Sequence, residues 1–397
     1  MKNGYYEING IKTYSKLEAL ESFTQHPNIL HWNYNDEEFS MYDWTKEPIE
    51  SIDDLYKEHA LKLRNRYDKL ILILGGIDST NILLTCIKNN IPIDDIAIFY
   101  SKYDNQISLA SKEVHQYTLP RLERFKEKYP TYTFNIRHIE YGDYILSPKT
   151  ENTFIESNSK YAYPLVWSVN YLVRKSLFNI IPEYDKWATE GKKIGVIYGI
   201  DKPNVKYRNK NWIFNFTDVP LESGITTLDK LDPDRRYTHE CFYWSPESAK
   251  ILIKQCHLIK NFYTNKMNIF LSLQKPPEDY HINFSRNNQD SIYSGISVLH
   301  ENIHQVIYPI CSEENFMIKK PTIPGKGDNH IRARMLGGAR ELWLYASNHE
   351  RKNLMYKINK DIQADVNKRK IDNTWLISPP DIYGGFRACV SKDYIFG

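Results

Sequence analysis

One short segment concentrates the residues that could do chemistry: Leu74-Gly75-Gly76-Ile77-Asp78-Ser79-Thr80. It follows a continuous apolar run, Leu70 to Leu74, and precedes a stretch of helical character containing Ile82, Leu83, Cys86 and Ile87. A loop leading into a helix N-terminus is a place for an anion, because the first backbone N–H groups lack intrahelical partners and the helix dipole favours negative charge. Two glycines allow backbone to approach phosphate oxygens with no Cβ in the way. Ser79 and Thr80 add hydroxyl donors, Ile77 contributes its backbone, and Asp78 can cap the helix or hold a magnesium ion carried by a nucleotide. The spacing is neither GxxxxGK[ST] nor GxGxxG. The plainer reading is a glycine turn with an Asp/Ser helix cap and no ligand.

The elements around the loop favour the first reading. Leu70 to Leu74 and Ile96 to Tyr100 are unbroken apolar runs, as expected of strands buried on both faces of a parallel sheet. Thr133 to Ile139 reads as a third strand and Ile194 to Tyr198 as a fourth. The segments from Asp78 to Asn89-Asn90, 106–128 and 166–180 read as the helices between them. A β-α-β-α-β-α-β order predicts an α/β fold with a doubly wound parallel sheet. Before it, Ser15 and Glu18 suggest a helix start, and 51–67 reads as a second helix. Past about residue 222 the strand signal fades. Ser245-Pro246-Glu247 opens a helix with Leu252, Cys256, Ile259 and Tyr263 on one face, further helices are expected over 287–307 and 336–366, and Trp375 to Gly397 returns to strand and turn. The expected division is an N-terminal extension at 1–68, a nucleotide-binding α/β domain at 69–222, and a mainly helical substrate or partner region at 223–397.

The loop resembles the SGGxDS signature of the PP-loop ATP pyrophosphatases, the adenine nucleotide alpha hydrolase-like group that includes asparagine synthetase, argininosuccinate synthetase and NAD synthetase. Gly75, Gly76, Asp78 and Ser79 match four of its five specified positions, and Leu74 stands where the family has Ser. Tyr56 to Asn81, Phe242-Tyr243-Trp244-Ser245-Pro246 and Ile253-Lys254-Gln255-Cys256-His257 are similar to asparagine-synthase-like PP-loop proteins encoded by large phages. The resemblance implies a sheet of the PP-loop/HUP type. It implies ATP and Mg²⁺ as cofactors, with ATP split to AMP and pyrophosphate and a carboxylate or carbonyl oxygen adenylated for attack by an amine. By the same resemblance the loop after the fourth strand serves ATP: Gly199 beside the nucleotide, Asp201 as a second magnesium carboxylate with Asp78, and Lys202 as a charge on phosphate. Tyr100 and Ser101, ending the second strand, fall near the adenine. Asp78, Ser79, Asp201 and Lys202 are then the catalytic set.

Other features narrow this reading. Position 2 is Lys2 and only about 70 residues precede the loop, so a glutaminase domain like that of asparagine synthetase is not expected, and the acceptor and amine are unidentified. The five cysteines form no CxxC pair, which disfavours sulfur insertion, a cysteine zinc site and an oxidising compartment. Cys256 and His257, adjacent on a helix, point about 100° apart and Cys256 falls on the apolar face, so Cys256 reads as core. His300 and His304 share a helix face without a third ligand. Lys and Arg total 52 against 49 acidic residues, which removes the basic signature of a nucleic-acid binder, although Lys319, Lys320, Lys326, His330, Arg332 and Arg334 form a local basic stretch. Trp212, Phe214 and Phe216 alternate as if lining a sheet face. No apolar run approaches the roughly 18 residues of a spanning helix, and a cytoplasmic protein with no membrane partner is expected, in the host cytoplasm if phage-encoded. Two other functions stay open: a nucleotide-binding module impaired in catalysis at Leu74, and a nucleotide or nucleic-acid modification factor.

Overall fold

In the computed structural model, which describes residues 4–13, 16–25, 30–100, 102–103, 106–107, 111, 114–142, 181–200, 202–203, 205–208, 211–218, 237–271, 303–313, 368 and 389–397, the apolar runs become the centre of a parallel sheet. Leu70, Ile71 and Leu72 are fully covered, as are Ile96, Ala97, Ile98, Val196 and Ile197. The chain order is β1 (Tyr5–Ile8), β2 (Ile11–Thr13), α1 (Lys16–Gln25), β3 (His31–Asn33), α2 (Asp36–Phe39), α3 (Ile52–Arg66), β4 (Lys69–Ile73), α4 (Ile77–Lys88) and β5 (Asp95–Tyr100). There follow β6 (Lys102–Tyr103), β7 (Gln106–Ile107), α5 (Leu119–Lys128), β8 (Ile136–Glu140), α6 (Pro182–Thr189), β9 (Ile194–Tyr198), β10 (Val205–Arg208), β11 (Asn211–Phe214), β12 (Tyr237–Cys241), α7 (Ala249–Leu271), α8 (Pro309–Glu313) and β13 (Tyr394–Ile395).

Five strands form one sheet in the order β12-β9-β4-β5-β8, every pair parallel. The fold is α/β. From β4 the chain winds outward to β5 and β8, then returns to place β9 on the other side of β4, with Ile71 opposite Val196 and Leu72 opposite Ile197. β4 and β9 therefore flank the point where the winding reverses.

Two expectations are corrected. Strands do not end near residue 222: β12 is the fifth strand of the sheet. Its polarity hides it in the sequence, because its polar side chains are paired inside the fold. Glu240 accepts from the Tyr67 hydroxyl at 2.5 Å and pairs with Arg66 at 3.2 Å, and His239 Nδ1 lies 2.9 Å from the Tyr198 hydroxyl. Nor does one helix span 106–128. The described part of that range holds β7, paired antiparallel with β6 just before it, a π-helical turn at Val114–Thr118, and then α5. Pro120, in the first turn of α5, lacks an N–H and suits a helix start better than its interior.

Elsewhere expectation and structure agree. Ser51 caps α3 by accepting from the Asp54 amide at 3.1 Å. The stripe Leu252, Cys256, Ile259 and Tyr263 on α7 is buried. α7 starts after a 3-10 turn at Pro246–Ser248, and Ser245 serves it through its carbonyl, which accepts from the Ser248 amide at 3.0 Å. The helices expected at 166–180 and 336–366 lie outside the described residues, and of 287–307 only 303–307 is helical within them. No helix among the described residues is long and apolar enough to cross a membrane.

Two small antiparallel sheets, β2-β1-β3 and β10-β11-β13, accompany the large one. An aromatic cluster drawn from distant parts of the chain packs at β11 and the residues after it. Trp44 stacks on Phe214 at 5.5 Å, Phe39 meets Phe216 at 4.6 Å, and Phe216 stands edge-on to Trp244 at 5.2 Å. Trp212, Phe214 and Phe216 are buried here, as their alternation suggested.

α3 carries a buried histidine, His59, whose Nδ1 lies 2.6 Å from Ser248 Oγ. Its Nε2 has no partner among the described residues. Burial, reinforced by the charges of Lys62 and Arg66, pushes its pKa down to about 3. The unfolded chain takes up this proton near pH 6.5. The folded chain resists it, so stability is lost as the pH falls below that value. Urea unfolding at pH 7 and pH 5 should show a loss of about 2 kcal/mol that His59→Gln lacks. An equal loss in both proteins would refute this account.

Candidate functional site at the reversal of the sheet

The last ladder bond of β4 is that of the Leu74 amide to the Ala97 carbonyl, 2.9 Å, and the Leu74 side chain is buried in the core. Beyond it the chain turns through Gly75 and Gly76 into α4. Ser79 Oγ draws the turn closed by accepting from the amides of Gly75, at 3.0 Å, and Gly76, at 3.3 Å. Thr80 Oγ1 donates to the Gly76 carbonyl at 2.8 Å, and Thr118 Oγ1, just before α5, donates to the Gly75 carbonyl at 2.7 Å. Buried Arg121 donates to Thr80 Oγ1 at 3.3 Å. The hydroxyls of Ser79 and Thr80 thus hold the loop's own shape. The amides of Ile77, Asp78 and Ser79, the first three of α4, have no acceptor among the described residues, the condition under which a helix N-terminus accepts an anion.

The loop after β9 runs alongside. A Cβ on Gly199 would lie 2.6 Å from the Ser79 nitrogen and 2.8 Å from the Asp78 carbonyl carbon, so only glycine lets the two loops approach this closely. Three residues on, Lys202 Nζ lies 3.0 Å from Asp78 Oδ1 and 3.1 Å from Oδ2. The Lys202 side chain is 10% exposed and that of Asp78 18%.

A third element completes the site. Tyr308 donates its hydroxyl to Asp78 Oδ1 at 2.7 Å, and Tyr243, just after β12, donates to the Asp78 carbonyl at 2.8 Å. Asn81 Nδ2 donates to the Tyr243 hydroxyl at 3.1 Å. Segment 303–313 is held in place by Tyr56 of α3, whose hydroxyl donates to the Ile307 carbonyl at 2.6 Å, while Gln255 of α7 donates to that hydroxyl at 2.9 Å. The His304 ring stacks on Tyr308 at 5.9 Å. Burial alone would raise the Asp78 carboxyl pKa. Lys202, then His304 and the Tyr308 hydrogen bond, outweigh burial and hold it below the usual carboxylate range. Burial and the Asp78 charge raise the Tyr308 pKa, which keeps that hydroxyl a donor.

Of the expected site residues, Gly75, Gly76, Ile77, Asp78, Ser79, Thr80, Gly199 and Lys202 come together here. Asp201 and Ser101 lie outside the described residues, as does the basic stretch 319–334. Tyr100 ends β5 half-buried, with its ring edge-on to His115 at 5.0 Å and to His138 at 6.3 Å. Burial raises the Cys256 thiol pKa, in keeping with a core residue. Tyr308, Tyr243, Asn81, Thr118 and Arg121 were missed as site residues. Tyr243 and Asn81 carried a sequence signal, as parts of the Phe242–Pro246 and Tyr56–Asn81 resemblances; the others carried none. Asp78 as arranged does not fit a resident magnesium ion: Oδ1 takes both an ammonium and a hydroxyl, and Oδ2 takes the same ammonium. Among the described residues no group of three or more His, Cys, Asp or Glu side chains could hold a metal.

Compared with known proteins, the chain matches no family model, no curated protein and no solved structure. The functional reading therefore stands on the geometry and on the residues of the loop.

Gly199→Ala should force the two loops apart. Urea denaturation should show a loss of about 1–3 kcal/mol, the usual result of overpacking against backbone that cannot yield. A substitution costing less than about 0.5 kcal/mol would show that the contact does not constrain the site.

Proposed function

We propose that this chain is an ATP-binding enzyme of the PP-loop type, which splits ATP to AMP and pyrophosphate and adenylates a carboxylate or carbonyl oxygen for attack by an amine. The observation that carries this reading is the meeting of the β4–α4 loop and the β9 loop at the reversal of the sheet, with three helix amides that have no acceptor among the described residues and the Lys202 ammonium nearby. Ligands of open α/β sheets bind at such a point, outside the carboxyl ends of the strands. In the proposed reaction an acceptor oxygen attacks the α-phosphorus, and the bond from that phosphorus to the α,β-bridging oxygen breaks. The electron pair leaves with pyrophosphate. The amides of α4 and the charge of Lys202 stabilise that leaving group, so the protein contributes position and fixed charge rather than a covalent nucleophile.

A second reading, a module that binds nucleotide without splitting it, is favoured by one observation. Leu74 is buried and puts no hydroxyl at the loop, where the resembling family has one.

Thermal unfolding with ATP, AMP and pyrophosphate tests the common part. A ligand at about 100 times its dissociation constant adds roughly 2.7 kcal/mol, a rise of a few degrees for a chain of this size. ATP and pyrophosphate should produce it, and Lys202→Met should diminish it. No shift with any of the three would overturn the proposal. Analysis of the nucleotide after incubation with ammonia and a mixture of carboxylic acids separates the two readings: the enzyme releases AMP with pyrophosphate, and the module returns ATP intact.

A further inference from the structure

We propose that Asp78 is an internal competitor for the phosphate site: its carboxylate occupies Lys202 as a phosphate would, and an incoming pyrophosphate group binds by drawing Lys202 away from it. The inference rests on the nucleotide reading above and assigns to Asp78 a role opposite to that of a ligand-holding residue.

Three features carry it. First, the pairing is symmetrical and enclosed. Lys202 Nζ sits 3.0 and 3.1 Å from the two oxygens of one carboxylate, with the lysine side chain only 10% exposed. Its charge is therefore already neutralised, and an anion engages it fully only by separating the pair. Second, Asp78 lies in the first turn of α4, among the amides left without acceptors. An anion bound to those amides comes close to the carboxylate, and like charges at short range inside a partly desolvated site repel. Both effects set the carboxylate against the ligand.

Third, the carboxylate does not depend on Lys202 for its position. Tyr308 donates to Oδ1 at 2.7 Å, and Tyr243 fixes the Asp78 backbone by donating to its carbonyl at 2.8 Å. These tyrosines reach the site from the turn after β12 and from segment 303–313, not from the β9 loop that carries Lys202. When the ammonium leaves, Asp78 keeps a hydrogen-bond donor and its place. Lysine has a flexible four-carbon stem and a compact charge with three donors, so a side-chain rotation can carry the ammonium from carboxylate to phosphate.

Calorimetric titration of pyrophosphate, with divalent metal chelated, tests this on the full chain. Asp78→Asn should bind pyrophosphate about ten-fold more tightly than the native protein, and Lys202→Met about ten-fold more weakly. The decisive comparison is the double variant. Because the gain comes from releasing Lys202, Asp78→Asn should add less than about two-fold in the Lys202→Met background. Asp78→Ser carries the same expectation if the asparagine variant fails to unfold cooperatively. Weaker or unchanged binding by both Asp78 variants would overturn the proposal, and so would a ten-fold gain that persists without Lys202. Absence of binding by every protein, native included, would instead remove the nucleotide reading and this inference with it.

Discussion

The parallel pairing of β4 with β9 decides where everything else in the site must be. Strands that neighbour in space but are separated in sequence by β5 and β8 send their following loops out at the same end of the sheet, side by side. Register fixes the rest: Ile73 lies opposite Tyr198, so the chain leaves the sheet at Leu74 and at Gly199 level with one another. The cost is crowding, because two polar backbones now converge on one helix start. Glycine at 199 relieves it, and the hydroxyls of Ser79, Thr80 and Thr118 satisfy the turn's own amides and carbonyls. The three amides left over belong to the helix.

The second requirement is that a carboxylate so far out of water be compensated. Removing Asp78 from solvent disfavours its charge, and a buried charge persists only where partners offset the loss of hydration. Those partners come from far along the chain. Lys202 is 124 residues away and Tyr308 is 230. Tyr308 in turn depends on Tyr56 and Gln255, so the helices α3 and α7 serve the loop indirectly, as supports of its supports. A change at Gln255 would reach Asp78 through Tyr56 and segment 303–313.

This dependence explains what could be read in advance and what could not. Leu70 to Leu74 announces its strand because it is buried on both faces, and Gly75-Gly76 followed by Asp78 and Ser79 announces a turn into a helix. Lys202 was placed through family resemblance, on the loop after the fourth strand. Tyr243 lay within a resembling segment that gave it no role, and Tyr308 had no marker at all. Their role is set by a tertiary contact that no local pattern encodes, in a chain with 30 tyrosines to choose from. β12 was missed for a related reason: Glu240 and His239 look like surface residues until Tyr67, Arg66 and Tyr198 are brought against them. Pro120 is legible in the sequence as a helix start, and α5 begins beside it.

The aromatic cluster has a consequence for how the protein is made. Tyr394 packs against Trp44 at 4.5 Å and its hydroxyl donates to Asp36 Oδ1, 358 residues earlier in the chain. A ribosome adding roughly 5 to 20 residues per second needs about 20 to 70 s to cover that interval. During that time Phe39 and Trp44 are already outside the ribosome without Tyr394 to cover them. The parallel sheet can close once β12 has emerged, but these aromatic rings wait for the last of their partners. The nascent chain thus passes through a long interval with a sticky apolar surface near its beginning, the period in which a chaperone has most to offer it.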